Sequence, residues 1–445
     1  MEPLQYSKAL VVGLGRSGAA AARLAAADGA EVVVTDLRPR NELPILAELP
    51  SEIRVFAGAH PEACLDGIDL VVVSPGVAPR AALLETARSR GIEVLTEVEF
   101  AWRHRPSAPL AAVTGSNGKS TVTTLIAEMM AVEDPRVAVG GNLGTAACDL
   151  VRAGGWDRWV LEISSFQSEL FQAVAPTVGV FLNLSQDHLE RHADMGAYLD
   201  AKRRLFAFQR ADDTAVLNAD DEVVSETETT AARRLFSVLG EADGRLDGDR
   251  LYLDGVELTT VNRIGLSGAH NLANVLAAGL AATAMGASHH AVATAAEGYS
   301  GLAHRHRVVH EAGGVRWIDD SKATNIGATV AALGGYPAGS LHLILGGQGK
   351  GQDFSVLADE VRRSVARVYV IGIDGPTIAD ALADAAPVER CETLTEAVAR
   401  ARSAAEPGQF VLLAPACASF DQFTGYDQRG DVFAALAREE AGSCR

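Results

Sequence analysis

The sequence predicts an α/β fold of three domains, and three observations point to it. Short apolar runs alternate with alanine-rich stretches of helical period, the pattern of strands joined by helical crossovers. Most of those runs end in turns rich in glycine, serine or asparagine, which line the sheet edge where ligands of open α/β sheets gather. The chain of 445 residues has room for about three domains, and its 48% hydrophobic content supplies several cores. Breaks near Trp102-Arg103-His104-Arg105-Pro106-Ser107 and near Gly301 set the expected division at 1–98, 99–302 and 303–445.

Composition narrows the class. Apolar runs stay well short of the ~18 residues that span a bilayer. Met1-Glu2-Pro3-Leu4-Gln5 has no basic region leading into an apolar one, so neither membrane nor export is expected. The five cysteines, at 64, 148, 391, 417 and 444, lack metal-like or disulfide-like spacing and suit a reduced cytoplasm. A net charge of −18, spread along the chain, argues against nucleic acid as the main partner. A monomer is the expected state.

In the first domain Lys8 to Val12 reads as a strand. It is followed by Gly13-Leu14-Gly15-Arg16-Ser17-Gly18, a helix ending near Gly29, and a second strand from Glu31 to Thr35 that ends at Asp36. This is a Rossmann-like unit: its helix end holds a pyrophosphate, and the acid at the second strand's tip meets a ribose or ring. NAD and a UDP-linked ligand both fit such a groove, and a purely structural turn has the same sequence. Leu70 to Val73 ends in Ser74-Pro75-Gly76, another loop at the same edge.

The second domain centres on Val113-Thr114-Gly115-Ser116-Asn117-Gly118-Lys119-Ser120-Thr121. The apolar run Leu110 to Val113 enters it, and Val122, Leu125, Ile126, Met129 and Met130 continue it as a helix. Free N–H groups and the positive helix end then face one point, an anion site. Lys119 adds a mobile charge for outer phosphates, and Ser120 or Thr121 a hydroxyl for magnesium. Val113 stands where the first glycine of the usual phosphate loop belongs, so the loop is a short version. This pattern predicts an ATP site and a P-loop ATPase-like parallel sheet.

Further along, Gly140-Gly141-Asn142 reads as a second glycine turn. The strand Trp159 to Ile163 carries Glu162 and leads to Ser164-Ser165-Phe166-Gln167. A carboxylate on a buried strand needs a partner: a magnesium ion, or else an arginine or an edge position. Thr177 to Leu184 is a strand ending in Ser185-Gln186-Asp187-His188, where His188 suits a cap or a surface group as readily as a ligand. Lys202, within Tyr198-Leu199-Asp200-Ala201-Lys202, reads by itself as a solvated helix charge. Asp254-Gly255 joins two short strands as a type I′ hairpin, and Gly268-Ala269-His270-Asn271-Leu272-Ala273-Asn274 opens a long helix.

The third domain is again Rossmann-like. Its strands are Arg316–Ile318, Leu341–Leu345, Val368–Ile371 and Phe410–Leu413. The associated loops are Asp319-Asp320-Ser321-Lys322-Ala323-Thr324-Asn325, Gly346-Gly347-Gln348-Gly349-Lys350 and Pro415-Ala416-Cys417-Ala418-Ser419.

Three α/β units in this order, with Gly115 to Thr121, Glu162 and Ser164 to Gln167, Asp187-His188, Tyr198 to Lys202, His270-Asn271 with Asn274, His304-Arg305 and Asp319 to Asn325, resemble the Mur ligases nearly end to end. Folate polyglutamate ligases share the ATP loop. Asp320-Ser321-Lys322-Ala323-Thr324-Asn325 favours the glutamate-adding branch, since its relatives carry an Asp-Tyr-containing segment there. Ser116 replaces a commoner threonine, and Leu37 follows Asp36 where a small polar residue is frequent.

The resemblance implies an ATP-dependent amide ligase of peptidoglycan precursor synthesis. ATP phosphorylates the carboxylate of UDP-N-acetylmuramoyl-L-alanine, and the amine of D-glutamate attacks the acyl phosphate, with domain closure assembling the site. By resemblance Gly115, Ser116, Asn117, Gly118, Lys119, Ser120, Thr121, Asn142, Asn274, Arg305 and Asp320 contact ATP. Ser120, Glu162, His188 and a carbamylated Lys202 serve two magnesium ions, and Lys119, Glu162, His188 and Lys202 carry the chemistry. Gly15, Arg16, Ser17, Asp36, Leu37, Arg38, Ser74, Gly76, Ser164 and Gln167 hold the UDP-substrate. Lys322, Thr324, Lys350, Ser419, Phe420 and Tyr426 hold D-glutamate. A ligase for another amino acid, or a non-catalytic sensor of NAD and ATP, is the alternative.

Overall fold

The computed structural model describes residues 4–105, 107–188, 191–266, 268–349 and 351–439, and three sheets follow one another along them. The first is fully parallel: β1 (Lys8–Val12), β2 (Glu31–Asp36), β3 (Arg54–Ala57), β4 (Leu70–Val73) and β5 (Glu93–Thr96), ordered β3-β2-β1-β4-β5. Its strands are apolar on both faces because helices cover both. Ala9 and Val11 pack towards the helix Arg16–Ala27, while Leu10 and Val12 pack towards Leu83 and Leu84 of the helix Ala82–Ser89. The order reverses between β1 and β4, so the Gly13 and Ser74 loops meet there.

The second sheet comprises β6 (Leu110–Thr114), β7 (Val137–Gly141), β8 (Arg158–Glu162), β9 (Val178–Phe181), β10 (Thr214–Asn218), β11 (Ala232–Ser237), β12 (Gly244–Asp247), β13 (Arg250–Leu253) and β14 (Val256–Thr260). Its order is β14-β13-β12-β11-β10-β9-β6-β8-β7. The strands from β7 to β12 in that order run parallel, but β12, β13 and β14 are antiparallel neighbours. The sheet is therefore mixed where the sequence reading expected a parallel one. The connections at this edge are too short for a crossover, and only a hairpin closes them. Asp254 and Gly255 both have positive φ, +53° and +78°, as the I′ turn requires. Two further expectations change: β9 ends at Phe181, short of Leu184, and Gly140-Gly141 ends strand β7 where a free turn was expected.

The third sheet has β15 (Arg307–Ala312), β16 (Val315–Asp319), β17 (Leu341–Gly346), β18 (Val365–Ile371), β19 (Val388–Arg390) and β20 (Phe410–Leu413), ordered β15-β16-β20-β17-β18-β19. All neighbours are parallel except β15 and β16, which turn on Gly313-Gly314 at φ +59° and +77°. The chain forms two compact units. One holds the first two sheets, and the other holds residues 185–190, 265–271 and the third sheet. The position 98/99 lies inside the helix Glu97–His104, which packs on the helices Arg16–Ala27 and Ala147–Ala153 of the same unit. No helix among the described residues is long and apolar enough to cross a membrane.

Candidate active site

The phosphate loop sits at the carboxyl end of β6, between β8 and β9. Gly118 caps the helix Lys119–Ala131 in the left-handed conformation, φ +82°. The position is closed to any larger residue, because a Cβ there would meet the side-chain oxygen of Asn274. The loop is pinned from the segment after β9: Ser116 N–H donates to the Asn183 carbonyl at 2.9 Å, and Asn117 N–H to Asn183 Oδ1 at 2.8 Å. Lys119 Nζ folds back onto the Gly115 and Ser116 carbonyls, 2.8 Å from each.

Val113 pairs with Glu162 in the sheet, which brings that carboxylate beside the loop. It is buried, with Ser120 Oγ donating to Oε2 and Asn142 Nδ2 donating to Oε1 at 2.6 Å. One hydroxyl and one carboxylate side by side are hard oxygen donors, the chemistry that suits Mg2+. Among the described residues no group of three His, Cys, Asp or Glu gathers as a metal cluster. Thr121 is buried in the first turn of the same helix.

Lys202 corrects the view of it as a solvated charge, being only 1% exposed. Asp194 caps its helix, Met195–Arg203, and that helix aims the ammonium at the loop. Nζ donates to the Gly115 carbonyl at 2.7 Å and lies 4.4 Å from the Tyr198 ring centroid. Tyr198, for which sequence reasoning found no task, also meets the Ser116 hydroxyl through its own, 3.2 Å apart. Two lysine ammonium groups therefore converge on one oxygen, that of Gly115. Like charges so placed repel strongly in a buried setting.

In the groove of the first sheet, Ser74 Oγ donates to the Gly13 carbonyl at 2.6 Å, tying the two switch-point loops. A Cβ at Gly18 would strike that same carbonyl oxygen, so only glycine lets the helix pack this close. Asp36 is buried and saturated. Oδ1 accepts from Arg38 N at 2.8 Å and Nε at 3.0 Å; Oδ2 accepts from Leu14 N at 2.7 Å and Arg38 Nη2 at 2.9 Å. Burial alone would raise this carboxyl, but the Arg38 guanidinium and the backbone donors outweigh it and hold it at about 2. Arg16, exposed at the start of the helix, donates to the Gly144 carbonyl at 3.1 Å. Gly15, Ser17 and Gly76 line the open edge, and Leu37 stands 66% exposed beside them. Ser164 and Gln167 bind each other in a capping box: Gln167 Oε1 accepts from Ser164 N at 2.9 Å and from Ser164 Oγ at 3.0 Å.

The second unit gathers the loops after β16, β17 and β20. Asp319 Oδ2 lies 2.6 Å from His304 Nδ1; burial raises that carboxyl, and the histidine opposes the rise. Asp320 faces His306 Nδ1 at 3.4 Å, and His306 Nε2 meets the Tyr336 hydroxyl at 2.9 Å. Arg305 is partly buried in the turn between those histidines. Lys322 Nζ lies 3.8 Å over the Tyr426 ring, a cation–π contact. Thr324 is partly buried two residues on, Ser419 is buried, and Phe420 projects 70% exposed. Lys350 lies outside the described residues. His188 belongs to this unit and has φ +56°.

Sequence reasoning missed Arg429. It is 1% exposed, and it donates to Ser321 Oγ at 3.0 Å and to the carbonyls of Ser321 (2.9 Å), Cys417 (3.0 Å) and Gly346 (3.4 Å). One guanidinium thus ties together the loops after β16, β20 and β17. A charged residue on a helix defaults to the surface in any sequence reading; the following glycine, whose Cβ would collide with His304, was the available signal.

Three family models match the chain: "Mur ligase MurD-like, N-terminal domain" over residues 7–96, "Mur ligase middle domain" over 113–282 and "Mur ligase, glutamate ligase domain" over 304–417. Relatives named UDP-N-acetylmuramoylalanine--D-glutamate ligase align nearly end to end. That of Myxococcus xanthus is 41% identical, covering 97% of this chain and 98% of its own. That of Acidobacterium capsulatum is 41% identical, covering 99% and 98%, and that of Legionella pneumophila strain Lens is 40% identical, covering 98% and 100%. Among solved structures, the UDP-N-acetylmuramate-alanine ligase MurC of Thermotoga maritima has a TM-score of 0.61 at 19% identity, covering 97% of this chain and 99% of that one. MurF of Acinetobacter baumannii has 0.62 at 16%, covering 97% and 92%; at such identities the likeness is one of fold.

Proposed function

The chain belongs to the Mur ligase family, and from that premise we propose that it joins D-glutamate to UDP-N-acetylmuramoyl-L-alanine at the expense of ATP, in peptidoglycan precursor synthesis. The observation that carries the reading is the end-to-end identity of about two residues in five with relatives of that activity. A carboxylate oxygen of the UDP-substrate attacks the γ-phosphorus, and the bond to the bridging oxygen breaks to release ADP. The amine of D-glutamate then attacks the acyl carbon, and the carbon–oxygen bond to phosphate breaks to leave an amide. Two anions meet in the first step, so the protein's task is neutralisation and positioning.

In this reading the N–H groups of Gly115 to Thr121 and the ammonium of Lys119 take the β- and γ-phosphates. Lys119 exchanges its two loop carbonyls for phosphate oxygens. Asn142, Asn274, Arg305 and Asp320 complete the nucleotide contacts. Ser120 and Glu162 would hold one magnesium ion and His188 a second; such ions polarise phosphoryl oxygens and offset their charge. Carbamylation of Lys202 is supported by the two ammonium groups at the Gly115 oxygen, since turning one into an anion removes the repulsion and adds oxygen donors. Lys322, Thr324, Lys350, Ser419, Phe420 and Tyr426 receive D-glutamate, with cations facing its carboxylates. The enzyme acts in the cytoplasm as a monomer.

The saturated Asp36 favours UDP over NAD in the first groove. A carboxylate has about four acceptor sites, and all four are taken by Leu14 and Arg38. That leaves none for the paired ribose hydroxyls by which such an acid holds NAD. Gly15, Arg16, Ser17, Leu37, Arg38, Ser74 and Gly76 meet the UDP ligand, Asp36 serves it through the Leu14 and Arg38 groups that it fixes, and Ser164 and Gln167 meet its muramoyl end. The decisive experiment is ADP release with UDP-N-acetylmuramoyl-L-alanine and a panel of D- and L-amino acids. D-glutamate alone should support turnover. Equal rates with D-alanine or L-lysine would point to another branch, and no substrate-dependent ADP release would point to a sensor.

A further inference from the structure

Asn325 has been given no task so far, yet it ties two parts of the second unit together. It is 4% exposed and caps the helix Ile326–Leu333, its Oδ1 accepting the N–H of Ala328 at 2.8 Å. The cap fixes the amide's orientation, because the oxygen must face the helix N–H and the nitrogen must face away. That nitrogen donates to Asp187 Oδ2 at 3.0 Å. The other Asp187 oxygen accepts the backbone N–H of His188 at 2.9 Å, and Oδ2 lies 3.5 Å from His188 Nε2.

His188 is a non-glycine residue in the left-handed region, at φ +56°, a conformation that costs about 1 kcal/mol or more and persists only where neighbours impose it. Asp187 is the neighbour whose carboxylate grips the strained N–H. Asn325 in turn fixes that carboxylate from the first turn of a helix. All three belong to one compact unit.

We propose that Asn325 is a positioning residue: through Asp187 it holds His188 in its left-handed conformation and so sets the direction of the imidazole. The proposal rests on the reading of His188 given above. It also makes a connection. Asn325 directly follows Lys322-Ala323-Thr324, so the segment assigned to D-glutamate runs straight into the residue that positions His188.

Asn325→Asp tests this with little damage to the fold, since aspartate caps helices as well as asparagine does. The substitution keeps the cap acceptor but sets one carboxylate against another. In the full-length protein it should lower kcat about tenfold or more, as a small misplacement of a reacting group does, with the melting temperature and the KM for ATP nearly unchanged. In ligand-free protein carrying 13C-labelled histidine, the His188 imidazole cross-peak should move. The double variant Asp187→Asn with Asn325→Asp restores a donor and an acceptor in reversed order, and should return the cross-peak and most of kcat. If Asn325→Asp matches the unmodified protein in both readouts while His188→Ala is inactive, the inference is wrong and the functional reading stands. The inference also fails if the double variant recovers neither. Near-normal turnover of His188→Ala would remove the role given to His188, and the inference with it, while the ligase reading stands.

Discussion

Glu97→Gln isolates a buried proton. Glu97 opens the helix Glu97–His104 and is 1% exposed. Its Oε1 accepts the N–H of Cys148 at 2.7 Å, at the start of the helix Ala147–Ala153, while Oε2 is buried without a hydrogen-bond partner. Burial pushes the carboxyl up to about 7 from an ordinary 4.5, and the Cys148 N–H offsets only part of the rise. Between those values the unfolded chain releases the proton while the folded one keeps it. Stability therefore falls as pH rises from about 4.5 to about 7 and is flat above. At ~1.4 kcal/mol per unit the loss amounts to about 3 kcal/mol. Glutamine mimics the protonated acid, so the variant should match the unmodified protein near pH 5 and exceed it by up to about 3 kcal/mol at pH 8. Hydrogen exchange of amides in the unit carrying the first two sheets, followed from pH 5 to 8, reads that unit alone; a chain with two units need not unfold in one step. Parallel pH profiles for the two proteins, or a less stable variant at pH 8, would refute the reasoning.

Lys119→Ala should lower ADP release by about a hundredfold or more, the loss of ~3 kcal/mol that follows removal of a charge-stabilising group; near-normal turnover would end its assignment as the phosphate clamp. Lys202→Ala should be nearly inactive and partly restored by acetate or formate, while activity of the unmodified protein rises with bicarbonate in carbon-dioxide-depleted buffer; indifference to both would leave the carbamate without support. Calorimetric titration should show the UDP-substrate binding and NAD not. Arg38→Ala should weaken that binding and also free Asp36, whose carboxyl then titrates nearer its ordinary range by NMR; tight NAD binding without UDP binding would reverse the assignment of the groove.

The legible parts of the sequence were those where local chemistry and fold agree. Glycines at 13, 18 and 118 mark places where a Cβ collides with backbone or with a neighbouring side chain, and the apolar runs feeding them are buried strands on both faces. The strands β10 to β12 were silent; in β11 Arg233 and Arg234 interrupt the apolar pattern, and the strand is exposed at its start. Lys202, Glu97 and Arg429 were misjudged or passed over for one reason: a charged residue on a helix defaults to solvent, and only tertiary packing reveals which ones are enclosed. Ser164 and Gln167 show the converse. Their spacing is that of a capping box, and the structure uses it as one, so a local bond precedes any ligand contact.

Arg429 lies beneath the loops proposed to receive the amino acid, and this bears on what they present to solution. Its guanidinium is enclosed, and carbonyl dipoles stabilise the charge without cancelling it; no described carboxylate lies within ion-pair distance. Burial lowers its affinity for the proton, but only to about 10, so the cation persists at neutral pH. The loops after β16, β17 and β20 therefore sit over a fixed cation, whose charge the nearby carboxylates of Asp319 and Asp421 favour. On a chain whose net charge is −18, this is a cation that no rotamer change can withdraw. An amino acid with two carboxylates and a net charge of −1 gains from such a cation, and the rate of its capture should fall with added salt more steeply than that of a neutral zwitterion.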